Sequence, residues 1–419
     1  MSGTARLGIG FVGAGFITRT FHSDSIQKIR HADVAGIMNP TVSKADSLAE
    51  EMRAADCGDP NTYGDVRELV RDPAVDALWI TSPNYARVET MEMVAEELEQ
   101  GNADLTGVAF EKPLGRNVRE AQRVVELVEQ TGLAHAYLEN QVHMPSVKRM
   151  KDLLWSNGRP AGRPYLARST EEHSGPHAGW FWDGKQQGGG VLNDMMCHSH
   201  KVNKFLLENP ETDGGGLRPI AVAADISTLK WGRDEYAQEL ADEYNVDYEN
   251  APAEDYARGS IFYETEDGQL VVGEATNSWN FVGSGIRLTM ELLGPEYSGS
   301  VNTIDTGTEV FFSDNIGGEG EYYVEKQEAE QGAIPVVPDE TATYGYLEQN
   351  KHVVESFRAG ESAREDVHDG LEVVRLCMAS YKAAEEGRRV EFDDIDLEEY
   401  VPEPARGEFD SGPAGIRTD

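Results

Sequence analysis

The sequence predicts an α/β protein. An N-terminal, doubly wound parallel sheet is followed by an α+β domain with an open, mainly antiparallel sheet. Three observations lead there. The first third alternates short apolar runs with helical patterns. A glycine-rich stretch, "GAGFIT", follows the first run and opens the first helix. After about residue 142 the alternation gives way to strand-like runs bounded by Gly, Asp and Asn.

Element by element, "RLGIGFVG", "ADVAGIMN", "DALWITS", "GVAFEK" and "AHAYLEN" read as strands. Between them "SKADSLAEEM", "VETMEMVAEELEQ" and "NVREAQRVVELVEQTG" read as helices, the last closing on Gly132. Such alternation implies right-handed crossovers and parallel pairing. "MPSVKRMKDLLW" then reads as a helix and "RPYLARSTEEH" as a strand. "IAVAADISTL", "GSIFYET", "GQLVVGEATNSW", "IRLTMELLG", "TEVFFS" and "EYYVEK" suit an antiparallel sheet. Two helices follow, in "YGYLEQNKHVVESFRAG" and "DGLEVVRLCMASYKAAEEG". The boundaries are a Rossmann domain over 1–142, an α+β domain over 143–392, and an acidic, mobile tail over 393–419. There is no internal repeat.

Gly8, Gly10 and Gly13 match G-x-G-x-x-G, but inside the strand; a phosphate loop must follow the strand. The working register is therefore Gly13, Ala14, Gly15, Phe16, Ile17, Thr18. Gly13 makes the turn and Gly15 lets the backbone approach a pyrophosphate. Thr18 stands where Gly or Ala is usual. The second strand ends at Asn39, where an acidic residue would bind both ribose hydroxyls of NAD. Asn39 does not repel a 2′-phosphate, and Thr41, Ser43 and Lys44 can hold one, which favours NADP over NAD. Ser82, Pro83 and Asn84 close the third strand. Glu111 and Lys112 close the fourth, where open parallel sheets bind ligands.

"VLNDMMCHSHK", after Gly188–Gly190, offers three readings: a metal site, an acid/base pair or an amphipathic helix. Asp194 and His198 share a helix face, about 6 Å apart at Cβ. His200 and Cys197 are rotated off it, so no metal site is expected. In "EEHSGPHAGWFWDG", His173, His177, Trp180 and Trp182 offer rings that stack on sugar C–H faces; the alternatives are core packing or an oligomer contact.

Composition excludes some functions. With 75 acidic and 37 basic residues the net charge is −38, which argues against nucleic acid and anionic membranes as partners. Acidic residues run throughout and arginine exceeds lysine, a pattern suited to a high-salt cytoplasm and a halophilic source. Cys57, Cys197 and Cys377 form no disulfide framework and fit a reducing compartment. No apolar run reaches transmembrane length. "LGIGFVGAGFI" lacks a cleavage site after it and reads as a buried strand rather than a signal segment.

The order of glycine loop, S/T-P-N, E-K-P and a glycine-rich segment with D-x-x-x-H resembles the Gfo/Idh/MocA oxidoreductases over about residues 6–392. The resemblance implies a catalytic group of Lys112, Asp194 and His198, with Asn140 in "ENQVHMP" beside cofactor and substrate. Glu111 and Lys112 would also face the cofactor. Lys112, Asn140, His173, Trp180, Asp194 and His198 would face the substrate. The implied reaction is hydride transfer between a nicotinamide cofactor and a hydroxyl-bearing carbon of a sugar, inositol or sugar derivative, in a homodimer or homotetramer. His198 would take the hydroxyl proton, Asp194 would orient His198, and Lys112 would hydrogen-bond the reacting oxygen. The rivals are a redox-neutral, NAD-retaining lyase or glycosidase and a non-catalytic cofactor-binding regulator.

Overall fold

The computed structural model describes residues 6–212, 216–283, 285–307, 309–312, 332–337 and 339–410. The chain divides into two compact units. One is Met1–Met144 with Tyr344–Val374; the other is Pro145–Thr343 with Arg375–Asp419. The expected break at 142/143 thus falls two residues later, and the second domain is not contiguous: 344–374 returns to the first unit.

The first unit is built on six parallel strands: β1 Leu7–Val12, β2 Ala32–Met38, β3 Asn61–Tyr63, β4 Ala77–Ile80, β5 Gly107–Glu111 and β6 Ala134–Leu138. Their order is β3-β2-β1-β4-β5-β6. Strands β1, β4 and β5 are buried along their whole length, as expected where both faces of a parallel sheet are covered. The order of strand addition reverses between β1 and β4, so a crevice opens at their carboxyl ends. The helix Val118–Thr131 starts on an Asn117 cap, which accepts from Glu120 N at 3.0 Å, and ends on Gly132 at φ 68°. The returning helix Tyr346–Ala359 adds Val353, Val354 and Phe357 to the core of Leu7, Ile9, Phe11 and Trp79. Gly107 has to be glycine for this packing, because a Cβ there would lie 2.7 Å from the Phe357 ring.

The second unit carries β7 Leu166–Glu172, β8 Leu217–Ser227, β9 Tyr256–Thr265, β10 Leu270–Ser278, β11 Arg287–Gly294, β12 Tyr297–Asn302, β13 Glu309–Phe312, β14 Gly332–Pro335 and β15 Val390–Glu391. Seven of them form one sheet, β12-β11-β7-β10-β9-β8-β15. Its pairings are antiparallel except β7 with β10. Along β9, buried Ala257, Gly259, Ile261 and Tyr263 alternate with more exposed neighbours, the signature of a sheet covered on one face. Against β7 and β10 lies the helix Cys197–Leu207, whose polar groups bond to the sheet. Ser169 Oγ donates to Ser199 O at 3.2 Å, and Asn203 Nδ2 donates to Glu274 O at 2.8 Å.

Three elements carry too little apolar pattern to be predicted. The helix Asp234–Tyr244 buries only Ala237 and Leu240. Strands β3 and β12 are held by backbone pairing, to β2 and β11. The predicted strand "EYYVEK" lies outside the described residues. Residues 393–410 of the acidic tail make contacts: Glu403 N donates to Glu385 Oε1 at 2.6 Å, and Arg406 pairs with Glu408 at 2.6 Å. Pro404 O sits where a Cβ on Gly184 would come within 2.4 Å. Residues 411–419 lie outside the described residues.

Candidate functional site

In the first unit, Gly13 takes φ +114°, a left-handed value that favours glycine, and its N–H donates to Met38 O at 2.9 Å. Gly15 is exposed, and a Cβ built on it meets no atom within 4 Å. Phe16 and Ile17 are half-buried, Phe16 standing edge-on to Phe21 at 6.2 Å. Thr18 is fully buried, and the structure explains why a hydroxyl is tolerated there. Its Oγ1 donates to Gly13 O at 2.8 Å and shares a 2.8 Å bond with Thr81 Oγ1. The helix that the loop opens passes through a π turn, Thr18–His22, before Ser23–Gln27.

Asn39 has a structural task that the sequence did not announce. Its Oδ1 accepts from Ala14 N at 3.2 Å and its Nδ2 donates to Thr41 O at 3.0 Å, tying the glycine loop to the helix Val42–Ala54. Thr41, Ser43 and Lys44 are exposed at the start of that helix. Arg19, not foreseen, reaches the same place: its Nη2 donates to Lys44 O at 2.7 Å and its Nη1 pairs with Glu51. At the end of β4, Asn84 is buried. Beside it, Pro83 is half-buried, and the buried Ser82 Oγ has no hydrogen-bond partner among the described residues.

Glu111, expected among the cofactor contacts, is buried at the end of β5. Both of its oxygens are engaged within the chain: Oε1 with His22 Nε2 at 2.7 Å, Oε2 by the N–H of Lys112 at 2.9 Å. Burial works to raise its carboxyl, but the His22 bond and the charges of His22, Lys112 and Arg87 outweigh it and hold the group below the usual carboxylate range. His22 Nδ1 meets Asn350 Oδ1 at 3.1 Å, which also accepts from Trp79 Nε1 at 2.8 Å. Lys112, half-buried, thus leaves β5 with its backbone fixed on one side by Glu111 and on the other by Arg87, whose Nη2 donates to Lys112 O at 3.2 Å. The Asn140 amide donates to Tyr344 O at 2.7 Å, anchoring the turn that follows β6.

In the second unit, Asp194 and His198 are both buried, at 5% and 3% exposure. The expected regular helix opens instead as a π turn, Leu192–Met196, ahead of Cys197–Leu207. A wider turn closes after about five residues, so a spacing of four still returns to nearly the same side. Cys197 Sγ points back to Asp194 O at 3.2 Å. His200 is engaged elsewhere. Ser380 Oγ donates to Leu376 O, so it receives His200 Nε2–H at 3.1 Å. Burial pushes His200 down to about 3, and it stays neutral.

The aromatic stretch divides. His173 is buried, and its Nδ1 accepts from Gly175 N at 3.1 Å. Trp180 is half-buried and stacks on Phe181 at 3.8 Å, with the exposed His177 also against Phe181. Trp182 is not available to a ligand: it is 1% exposed among Trp231, Tyr248 and Trp279. A large indole gains more from that apolar cluster than from a wet site, and its Nε1 is satisfied by Pro176 O at 3.2 Å.

Comparison with known families matches both units. Residues 7–138 match the oxidoreductase family with an NAD-binding Rossmann fold, and residues 149–298 match the GFO/IDH/MocA C-terminal domain. The chain belongs to the GFO/IDH/MocA oxidoreductases. Within the family it is 23% identical over 387 residues to a myo-inositol 2-dehydrogenase of Thermotoga maritima, covering 92% of this chain and 99% of that protein. It is 25% identical over 203 residues to a D-xylose 1-dehydrogenase [NADP(+)] of Haloarcula marismortui, covering 47% of this chain and 50% of that one. In fold it is similar to GenD2 from gentamicin A biosynthesis in complex with NAD, with a TM-score of 0.73 at 23% identity, over 93% of this chain and 97% of that one. The glycine loop of this GFO/IDH/MocA chain suits a dinucleotide on its own geometry. The Gly15 side is open and Gly13 makes the left-handed turn.

Proposed function

We propose that this chain is an NAD(P)-dependent oxidoreductase acting on a CH–OH carbon of a sugar, an inositol or a sugar derivative. The observation that carries the reading is a buried carboxylate and imidazole, Asp194 and His198, on one helical turn of a chain whose other unit is an NAD-binding Rossmann fold. Gly13, Gly15, Phe16, Ile17, Ser82, Pro83 and Asn84 hold the dinucleotide, which when bound accepts or donates the hydride. Lys112 hydrogen-bonds the reacting oxygen. His198 takes the hydroxyl proton, and Asp194 orients His198. Asn140, His173 and Trp180 serve the substrate. Asn39 brings no negative charge to the adenosine ribose, and Thr41, Ser43 and Lys44 lie exposed beside it, which favours NADP. The named activities of the Thermotoga and Haloarcula relatives, on inositol and on xylose, agree with this substrate class.

The finer setting follows from composition. The charge of −38 suits a cytoplasm of high salt, where a Debye length of about 3 Å at ~1 M screens like charges. Cys57, Cys197 and Cys377 are free and buried, in keeping with a reducing compartment. The more exposed face of the seven-stranded sheet, laced by Arg168–Glu274 and Arg258–Asp225, is where copies of the chain associate.

The test is NADH and NADPH titration by fluorescence in molar KCl, followed by a panel of sugars and inositols. Lys112→Ala, Asp194→Asn and His198→Ala should each lower kcat by ~10²–10⁴-fold with cofactor affinity retained. Binding of neither nucleotide, or a fully active His198→Ala enzyme, would falsify the reading. Turnover without net NAD(P)H change would instead mark the redox-neutral chemistry.

A further inference from the structure

The helix that presents Asp194 and His198 begins in an unusual way. An α-helix leaves its first N–H groups without intrahelical acceptors. Here the acceptors come from two distant residues. Gly190 N donates to Glu254 Oε1 at 2.9 Å and to Tyr381 Oη at 3.1 Å. Val191 N donates to Glu254 O at 3.0 Å, and Leu192 N to Glu254 Oε1 at 3.0 Å. Asn193 N donates to Tyr381 Oη at 3.2 Å. Asp194 N is the first to bond within the helix, to Gly190 O at 3.1 Å. Tyr381 Oη in turn donates to Glu254 Oε1 at 2.5 Å. Glu254 and Tyr381 are both fully buried. Gly189 and Gly190 make room for this clamp: a Cβ on Gly189 would lie 1.9 Å from Tyr381 Oη, and one on Gly190 2.2 Å from Glu254 O.

We propose that Glu254 and Tyr381 are positioning residues for the Asp194–His198 pair, fixing the turn that presents both side chains. The proposal rests on the reading of Asp194 and His198 as the acid/base pair.

The clamp also responds to pH. Burial pushes the Glu254 carboxyl up to about 7, against the Tyr381 hydroxyl and the N–H groups of Leu192 and Gly190, which pull it down. The titratable groups on the elements around it are Tyr381 on the helix Val367–Glu386, Tyr248 ahead of β9, Asp255 next in the chain, and Asp194 and His200 on the clamped helix. Burial raises both tyrosines well above their usual range, so they stay neutral. Burial also raises Asp255, whose carboxylate accepts from Leu229 N, Lys230 N and Trp231 N. When Glu254 ionises, Oε1 becomes a stronger acceptor at the positive end of a helix. Ionisation thus strengthens the acceptor, while the larger cost of burying the charge opposes it.

The experiment uses the full chain with Glu254→Gln and Tyr381→Phe. Measured are kcat, KM, NAD(P)H affinity and the pH dependence of kcat. Each variant should lower kcat by roughly 10- to 100-fold, the scale of a misplacement near 1 Å, with nucleotide affinity unchanged. The wild-type kcat profile should carry an ionisation near pH 7 that Glu254→Gln lacks. Should Glu254→Gln fail to fold, Tyr381→Phe, which removes one hydroxyl, decides on the kcat effect. Wild-type kcat and an unchanged profile in variants that fold, with His198→Ala inactive, overturn the positioning role. An active His198→Ala overturns the underlying acid/base reading instead.

Discussion

Each unit of the chain places glycines ahead of a helix, and the two glycine runs do opposite things. At Gly13–Gly15 the backbone turns left-handed and leaves the Gly15 side open. At Gly188–Gly190 the chain's own Tyr381 and Glu254 occupy the space that a Cβ would need. Both solve one problem, the unsatisfied N–H groups at a helix start. At the first, Gly13 N and Ala14 N are met by Met38 O and Asn39 Oδ1 while the Gly15 side stays open; the second supplies an internal carboxylate and phenol. A glycine-rich helix start is therefore a binding site only when nothing within the fold has already filled it.

The largest effect should come from Gly189→Ala. Its φ of +145° and the 1.9 Å approach to Tyr381 Oη leave no room for a methyl group. Stability should fall by roughly 3 kcal/mol or more, read by chemical denaturation. A variant as stable as wild type would mean that the second run is not filled as described.

A smaller effect is expected from pH. Glu254 is raised from 4.5 to about 7, so the folded state binds its proton more tightly than the unfolded chain does. The stability it contributes is fully present below pH 4.5 and is lost as pH rises through about 7. Over that window wild type should lose up to about 3 kcal/mol relative to Glu254→Gln. Parallel stability curves for the two proteins would rule out an ionisable clamp. The first glycine run, with no carboxylate of the chain built into it, should add no such dependence.

The smallest effect is the most informative about the open run. Gly15→Val should leave the thermal midpoint nearly unchanged, since its side chain enters open space. NAD(P)H affinity should drop on the order of tenfold, about 1.4 kcal/mol, because the side chain blocks backbone approach. Unchanged affinity would place the pyrophosphate elsewhere.

Much of the fold was legible in the sequence because it is written in short-range pattern. The alternation of apolar runs with helical periods determined the parallel sheet. The strand-to-helix position of "GAGFIT" determined which glycines turn the loop, against the decoy match at Gly8 and Gly10 inside β1. The helical reading of the segment holding Asp194 and His198 was legible too, although Asp194 lies in a π turn and His198 in the α-helix that follows it. The tertiary structure alone decided which partners these residues keep. Glu111 is turned inward by His22, 89 positions away, and Tyr381 meets Glu254 across 127. Trp182 went to an aromatic core with Trp231 and Trp279, and 344–374 returned to the first unit. Periodicity and turn chemistry act over a few residues and survive in any reading of the chain. The acceptor for a buried N–H, or the ring beside an indole, is chosen only when distant segments are brought together and every polar group left inside must find a bond.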